Sequence, residues 1–234
     1  MSWREDLISE LEDGQHSIGH GVEHGRRVYE NAQSIADIEG GDDDVLFAAS
    51  YLHDVARPLV PSTDGNQHPI LGAQMAEEIL DEIGFPQEKV DAVKHAILAH
   101  ETYVDDPQGR EPLSYLEDRV LADADRIDAL GERCVRTLQY GGSTRPVYDP
   151  DNPDRETLWT MGEKAVDSLQ VIEAYITRYE NGTLLSTEGG TAFAKDRVAY
   201  MKGLVEGAKL VGEKYFYEEP APDDAAPSAA EAYA

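Results

Sequence analysis

DDDVLFAASYLHDVAR, residues 42–57, is the stretch on which the fold turns. Its three aspartates offer an N-cap, and Val45, Leu46, Ala49 and Leu52 recur at helical spacing. His53-Asp54 close the apolar stretch at its C-terminal end. An imidazole and a carboxylate delivered side by side suit a borderline to hard divalent ion, provided other segments bring partners. His24 upstream and His100 and Asp125 downstream are such partners. A site of this kind with open positions activates water or polarises a phosphoryl oxygen, so the chain reads first as a metal-dependent hydrolase.

Composition bounds that reading. With 234 residues, 41% of them hydrophobic, the chain can bury one sizeable core. Lys plus Arg number 20 against 47 Asp plus Glu, a net charge of −27, which argues against nucleic acid or an anionic membrane as partner. An acid excess of this size keeps a protein soluble where salt screens repulsion, as in the cytoplasm of a halophile. Clusters such as Asp42-Asp43-Asp44 and Asp105-Asp106 therefore read as caps and hydrated surface before they read as metal sites. Cys134 is the single cysteine, so a disulfide framework and a thiolate zinc cluster are both excluded, and its phase with Leu130 and Leu138 makes it a packed small hydrophobe. Acids stand where a signal peptide would be apolar, and no apolar run approaches the roughly 20 residues that span a bilayer, so a soluble, cytoplasmic protein is expected.

Helical periodicity dominates the chain. Residues 3–12 form a short amphipathic helix, and about 17–38 a longer one ending before Gly40-Gly41. RPLVPSTDGNQHP, residues 57–69, reads as a loop over the end of the His53-Asp54 helix and places His68 in that loop. Pro69 and Pro86 open helices over 70–83 and 87–101. One long helix is expected from about Leu113 to Tyr140, then a Pro- and Asp-rich connection over 143–153, then helices over about 154–180 and 191–217. The domain is thus 1–217, and 218–234, EEPAPDDAAPSAAEAYA, is an acidic tail expected to be disordered. Helices 154–217 read as completing the same domain, with a homodimer face as the alternative.

Helical phase selects the polar residues that count. His20 and His24 share a face, which Arg27 and Val28 continue. His100 lies three after Ile97 on an inward face, whereas His95 points elsewhere and reads as a surface histidine. Asp125 and Asp128 project together inward, and carboxylates on such a face need a cation or donors. Arg27, Arg57 and Arg126 are candidate phosphate clamps, ion pairing being the alternative for Arg27 and Arg126. Tyr103 and Tyr148 are candidates for stacking on a base, with packing as the alternative.

The order HGVEHGRRVYENA (20–32), YLHDVAR (51–57), AILAHE (96–101) and LADADRIDALG (121–131) resembles the HD-domain superfamily of metal-dependent phosphohydrolases, in the branch opening with His-x-x-Arg-Val. The resemblance covers about residues 16–140. It implies an all-α HD-domain helical bundle with additional C-terminal helices. It also implies that His24, His53, Asp54 and Asp125 hold one divalent ion, Mn2+ or Mg2+ ahead of Fe2+, Co2+, Ni2+ or Zn2+. His68 and His100 fall where dinuclear members hold a second ion, with Asp54 bridging. His20 matches a histidine one turn before the first ligand, which implies a role either in supporting a ligand from behind or in contacting substrate, and Asp128 would orient a ligand or an arginine. Asp54 and Asp128 are candidates for taking the proton of the attacking water, and His100 for a catalytic contact to phosphate. The expected substrate is a small phosphate ester or anhydride, such as a nucleotide. No serine or cysteine nucleophile motif calls for a covalent intermediate. Two rival functions stand beside hydrolysis: a di-iron oxygenase on the same scaffold, and a nucleotide-binding regulatory module without turnover.

Overall fold

The protein is described here as a computed structural model covering residues 2–13, 21–60, 67–103, 111–134 and 167–211. Its elements are helical throughout: α1 Trp3–Asp13, α2 Val22–Glu39, α3 Asp43–Leu52, a 3-10 turn Arg57–Leu59, α4 Gln67–Glu82, α5 Gln87–Ala99, α6 Leu116–Asp128, α7 Ser168–Glu180 and α8 Glu188–Val211.

α3 is the central helix. The Asp42 carboxylate accepts from the backbone N–H of Asp44 (3.0 Å) and Val45 (3.2 Å), meeting donors that a helix start leaves open. Val45, Leu46, Phe47, Ala48, Ala49 and Leu52 are all buried, so α3 is covered by α2, α5 and α6 on several sides. His53 keeps helical dihedrals and donates its N–H to Ala49, which ends α3 with His53 and Asp54 inside the bundle.

α2 approaches α3 at Gly25, where a Cβ would lie 3.0 Å from the Cα of Tyr51. No other residue lets the backbones come this close without displacement, and the approach brings the first turn of α2 beside the end of α3. α6 packs on α2 and α5, and α4 on α5. α8 packs on α2, α6 and α7 through Ala194, Val198, Met201, Val205 and Ala208, which share one apolar cluster with α2 and α3. The α8 start is fixed by Asp123, fully buried on α6, whose carboxylate accepts from the backbone N–H of Ser186 and Thr187 and from both hydroxyls.

Three expected elements differ. The helix drawn over about 154–180 begins at Ser168, because Asp167 is extended (φ −132, ψ 165) and its carboxylate accepts from the Gln170 N–H at 2.9 Å. The long helix drawn from Leu113 to Tyr140 stops at Asp128: Gly131 has φ +72, and Arg197 of α8 donates to the Ile127 carbonyl at 2.8 Å. A Cβ on Gly131 would also press on the Arg197 side chain at 3.3 Å. α4 begins at Gln67, so His68 is buried in its first turn instead of lying in a polar loop. Pro69 permits this because the first turn needs no N–H from it. Cys134 is buried, as a packed apolar residue would be. No described helix is long and apolar enough to cross a membrane. His20, Tyr148, the 143–153 connection and the 218–234 tail lie outside the described residues.

Candidate metal centre

His24 on the first turn of α2, His53 at the end of α3 and Asp125 on α6 converge. The Nε2 atoms of His24 and His53 are 3.2 Å apart, and Asp125 Oδ1 is 3.3 Å from the first and 3.6 Å from the second. Asp54 reaches this group with Oδ2, 3.6 Å from His53 Nε2 and 3.9 Å from His24 Nε2. Its other oxygen, Oδ1, faces a second group, 3.4 Å from His68 Nε2 and 3.9 Å from His100 Nε2, with those two nitrogens 3.4 Å apart. Asp54 thus completes one set of three donors with His68 and His100 and reaches toward the other, His24, His53 and Asp125.

The far nitrogens show what the near ones offer. His24 Nδ1 lies 2.9 Å from Asp128 Oδ2, His53 Nδ1 2.9 Å from the Ser50 carbonyl, and His100 Nδ1 2.6 Å from the Ile97 carbonyl. Each partner only accepts, so Nδ1 carries a proton, and a ring that gives up the proton on Nε2 presents that lone pair to the centre. Lone pairs of imidazole and carboxylate converging at 3.2–3.9 Å repel unless a cation lies among them. Ligands on a common divalent ion at about 2.1 Å stand at comparable separations. The residues fit such an ion.

Where no ion is bound, protons answer the same cluster of carboxylates. Burial works against a charged His24, but its hydrogen bonds to Asp125 and Asp128 push it up to about 9. His53 is also raised, burial being outweighed by Asp54 and Asp125. Asp125 is held far below the usual carboxylate range, against its burial, by His24 and His53. Burial, reinforced by the charge of His53, drives His100 down to about 3, so it is a neutral lone-pair donor.

Sequence reasoning passed over Glu101. It is buried and raised by that burial, and its Oε1 lies 3.5 Å from His68 Nε2 and 3.9 Å from His100 Nε2. The available signal was its place directly after His100 in AILAHE, the same adjacency that marks His53-Asp54. Arg133 was also missed; its Nε lies 3.4 Å from Asp128 Oδ2.

The named arginines separate. Arg27 donates to both oxygens of Asp128, at 2.9 and 3.2 Å. Arg57 enters the second group: its Nη1 is 3.0 Å from His68 Nε2 and 3.2 Å from Glu101 Oε1. Arg126 is buried behind the centre, donating to the carbonyls of His100 (3.2 Å) and Thr102 (2.6 Å), where it fixes the chain after α5. Tyr103 is buried with the guanidiniums of Arg126 and Arg178 over its ring, so packing holds it. His95 lies away from both groups, half-buried and paired with Glu111 and Asp118, where the sequence suggested open surface. Solvent reaches the centre at Asp125, Arg27 and Arg57, each about a quarter exposed in its side chain.

Residues 21–130 match the model of the HD domain. A solved HD-superfamily hydrolase from Bacillus thuringiensis aligns with a TM-score of 0.63 and 26% identity, over 87% of this chain and 93% of its own. Bacillus subtilis YpgQ, solved in complex with ADP, aligns with a TM-score of 0.56 and 22% identity, over 88% of this chain and 90% of its own, a likeness of fold alone. Ribonuclease Y of Cutibacterium acnes is 31% identical over 116 residues, 50% of this chain, and the chain spans 18% of that relative's length. With its two donor groups set between α2, α3, α4, α5 and α6, the described chain is an all-α helical bundle whose residues 21–130 match the HD domain, with additional C-terminal helices.

Proposed function

We propose that the protein is a metal-dependent phosphohydrolase acting on a nucleotide or a related small phosphate ester or anhydride. The observation that carries the reading is Asp54, with one oxygen toward His24, His53 and Asp125 and the other toward His68, His100 and the guanidinium of Arg57. His24, His53, Asp54 and Asp125 would hold a divalent ion, and such an ion lowers the pKa of bound water and draws charge from phosphoryl oxygens.

The chain's own residues do the rest. Arg57, reached by solvent, offers its guanidinium fork to phosphate oxygens, while Arg27 holds Asp128 through both carboxylate oxygens. Asp128 faces His24, Arg27 and Arg133, so it positions a ligand and an arginine and leaves proton transfer to others. Of the carboxylates within the donor groups, Asp54, Asp125 and Glu101, it is Asp54 and Glu101 that border the second group, where they can accept a proton from water. His100, kept neutral, contributes a lone pair. A guanidinium among the donors favours hydrolysis over the di-iron oxygenase reading, because it binds phosphate and supplies nothing to dioxygen.

The test is phosphorus NMR of nucleoside di- and triphosphates incubated with protein, manganese and high potassium chloride, the parent against Asp54→Ala. Orthophosphate or pyrophosphate from the parent alone supports the reading and shows which bond breaks. Intact substrates with metal-loaded parent, across nucleotides and simple phosphomonoesters, sink it. YpgQ's complex makes ADP the first compound to try.

A further inference from the structure

We propose that the Arg57 guanidinium is the resident cation of the second donor group, and that it and a second metal ion exclude each other there. This rests on the reading of the first group as an ion site and deepens it: one ion and one guanidinium, side by side, would clamp a single phosphoryl group.

The geometry is specific to one atom. Arg57 Nη1 lies 3.0 Å from His68 Nε2, 3.2 Å from Glu101 Oε1 and 3.7 Å from Asp54 Oδ1. These same three atoms are mutually close, with His68 Nε2 3.4 Å from Asp54 Oδ1 and 3.5 Å from Glu101 Oε1. A metal ion there would need them at about 2.1 Å. Nη1 lies against the His68 ring, 3.0 Å from Nε2 and 3.4 Å from Nδ1, and so fills the space that an ion held by Nε2, Asp54 and Glu101 would need. Both cations cannot be served at once.

The backbone keeps the guanidinium in place. Arg57 opens the 3-10 turn directly after the His53-Asp54 pair, with its N–H on the Asp54 carbonyl at 2.9 Å, so Asp54 and Arg57 are locked in register. Two carboxylates buried in this pocket, Asp54 and Glu101, require a positive charge. Arg57 supplies it without any metal. With 29% of its side chain exposed, it also has a path outward toward solvent or an incoming phosphate. At the first group no guanidinium takes that place among the described contacts, and Arg27 is turned onto Asp128 behind His24.

Counting ions tests this directly. Parent, Arg57→Met and the double variant Arg57→Met/His68→Ala are equilibrated with Mn2+ in high potassium chloride, which suppresses loose binding to the acidic surface. Bound metal is then measured by mass spectrometry and its coupling by electron paramagnetic resonance. The expected result is one isolated Mn2+ per chain in the parent, two exchange-coupled ions in Arg57→Met, and one again in the double variant. Arg57→Gln, neutral and polar, replaces Arg57→Met should the latter not fold, as judged by circular dichroism. Two coupled ions in the parent, or a single ion in both Arg57 variants, overturns the proposal while leaving the hydrolase reading intact. A parent that binds no ion overturns both.

Discussion

Asp128 touches no atom of the second donor group, yet at 2.9 Å from His24 Nδ1 it decides which nitrogen His24 turns to the centre. Asp128→Asn keeps the shape but weakens that orientation and the grip on Arg27, and is expected to lower Mn2+ affinity about 10–100-fold, measured by chelator competition. An unchanged affinity would remove Asp128 from the centre. His24 sets the pH dependence. Its metal-free value of about 9 lies above the ordinary 6.5, so its protonated form stabilises the metal-free fold fully below about 6.5, and that contribution is lost as pH rises through about 9. The ion needs the unprotonated ring, so Mn2+ affinity should climb by up to about tenfold per pH unit and level off near pH 9. Calorimetry between pH 6.5 and 9.5 checks this, and a flat profile contradicts it. Residues with a motif around them, His24, His53, Asp54 and Asp125, were legible from sequence. Glu101 and Arg133 were not, because neither the spacing nor the residue type separates them from the many surface charges of this chain.

At the scale of elements, α3 was readable because a local signal defines each end of it: an acidic cap at Asp42 and the change of character at His53. Asp42→Ala removes two backbone acceptor contacts as well as the pairing with Lys89, and should destabilise by about 1 kcal/mol in denaturant titration. Gly25→Ala tests the junction of α2 with α3. Its methyl would meet the Tyr51 backbone at 3.0 Å, which cannot yield as a flexible side chain does, so a loss of about 1–3 kcal/mol is expected. Because the same approach sets His24 beside His53, Mn2+ affinity should fall with it. Stability lost with affinity intact would show that α2 tilts without moving His24. The stop of α6 at Asp128 was hidden from local reading: Leu130 and Cys134 continue the apolar phase past Gly131, and the partner that turns the chain there, Arg197, is 66 residues beyond that glycine. His68 was misplaced for the opposite reason, since its polar neighbours look like a loop while α5 and the centre bury it.

Across the whole molecule, the charge of −27 is distributed over a surface whose described cations are drawn into pairs such as Arg4 with Asp43 and Asp44, and Lys89 with Asp42 and Asp44. Self-repulsion at low salt should therefore dominate, and the thermal midpoint should rise between 0.1 M and 2 M potassium chloride, where the Debye length shrinks from about 10 Å to below 3 Å. A midpoint that falls with salt would mean that these pairs outweigh the repulsion. By itself the sequence determined the helical class, the order of the segments that carry the clustered histidines and aspartates, and the inward phase of His100 and Asp125, because helical period and capping are local properties read within one turn or two. Only the tertiary structure decided that Glu101 joins the second donor group, that Arg57 enters it, that Arg126 holds backbone carbonyls and that Tyr103 packs between guanidiniums. Those outcomes depend on side chains from α2, α3, α4, α5 and α6 meeting within a few ångströms, and no local pattern encodes which lone pair will face which.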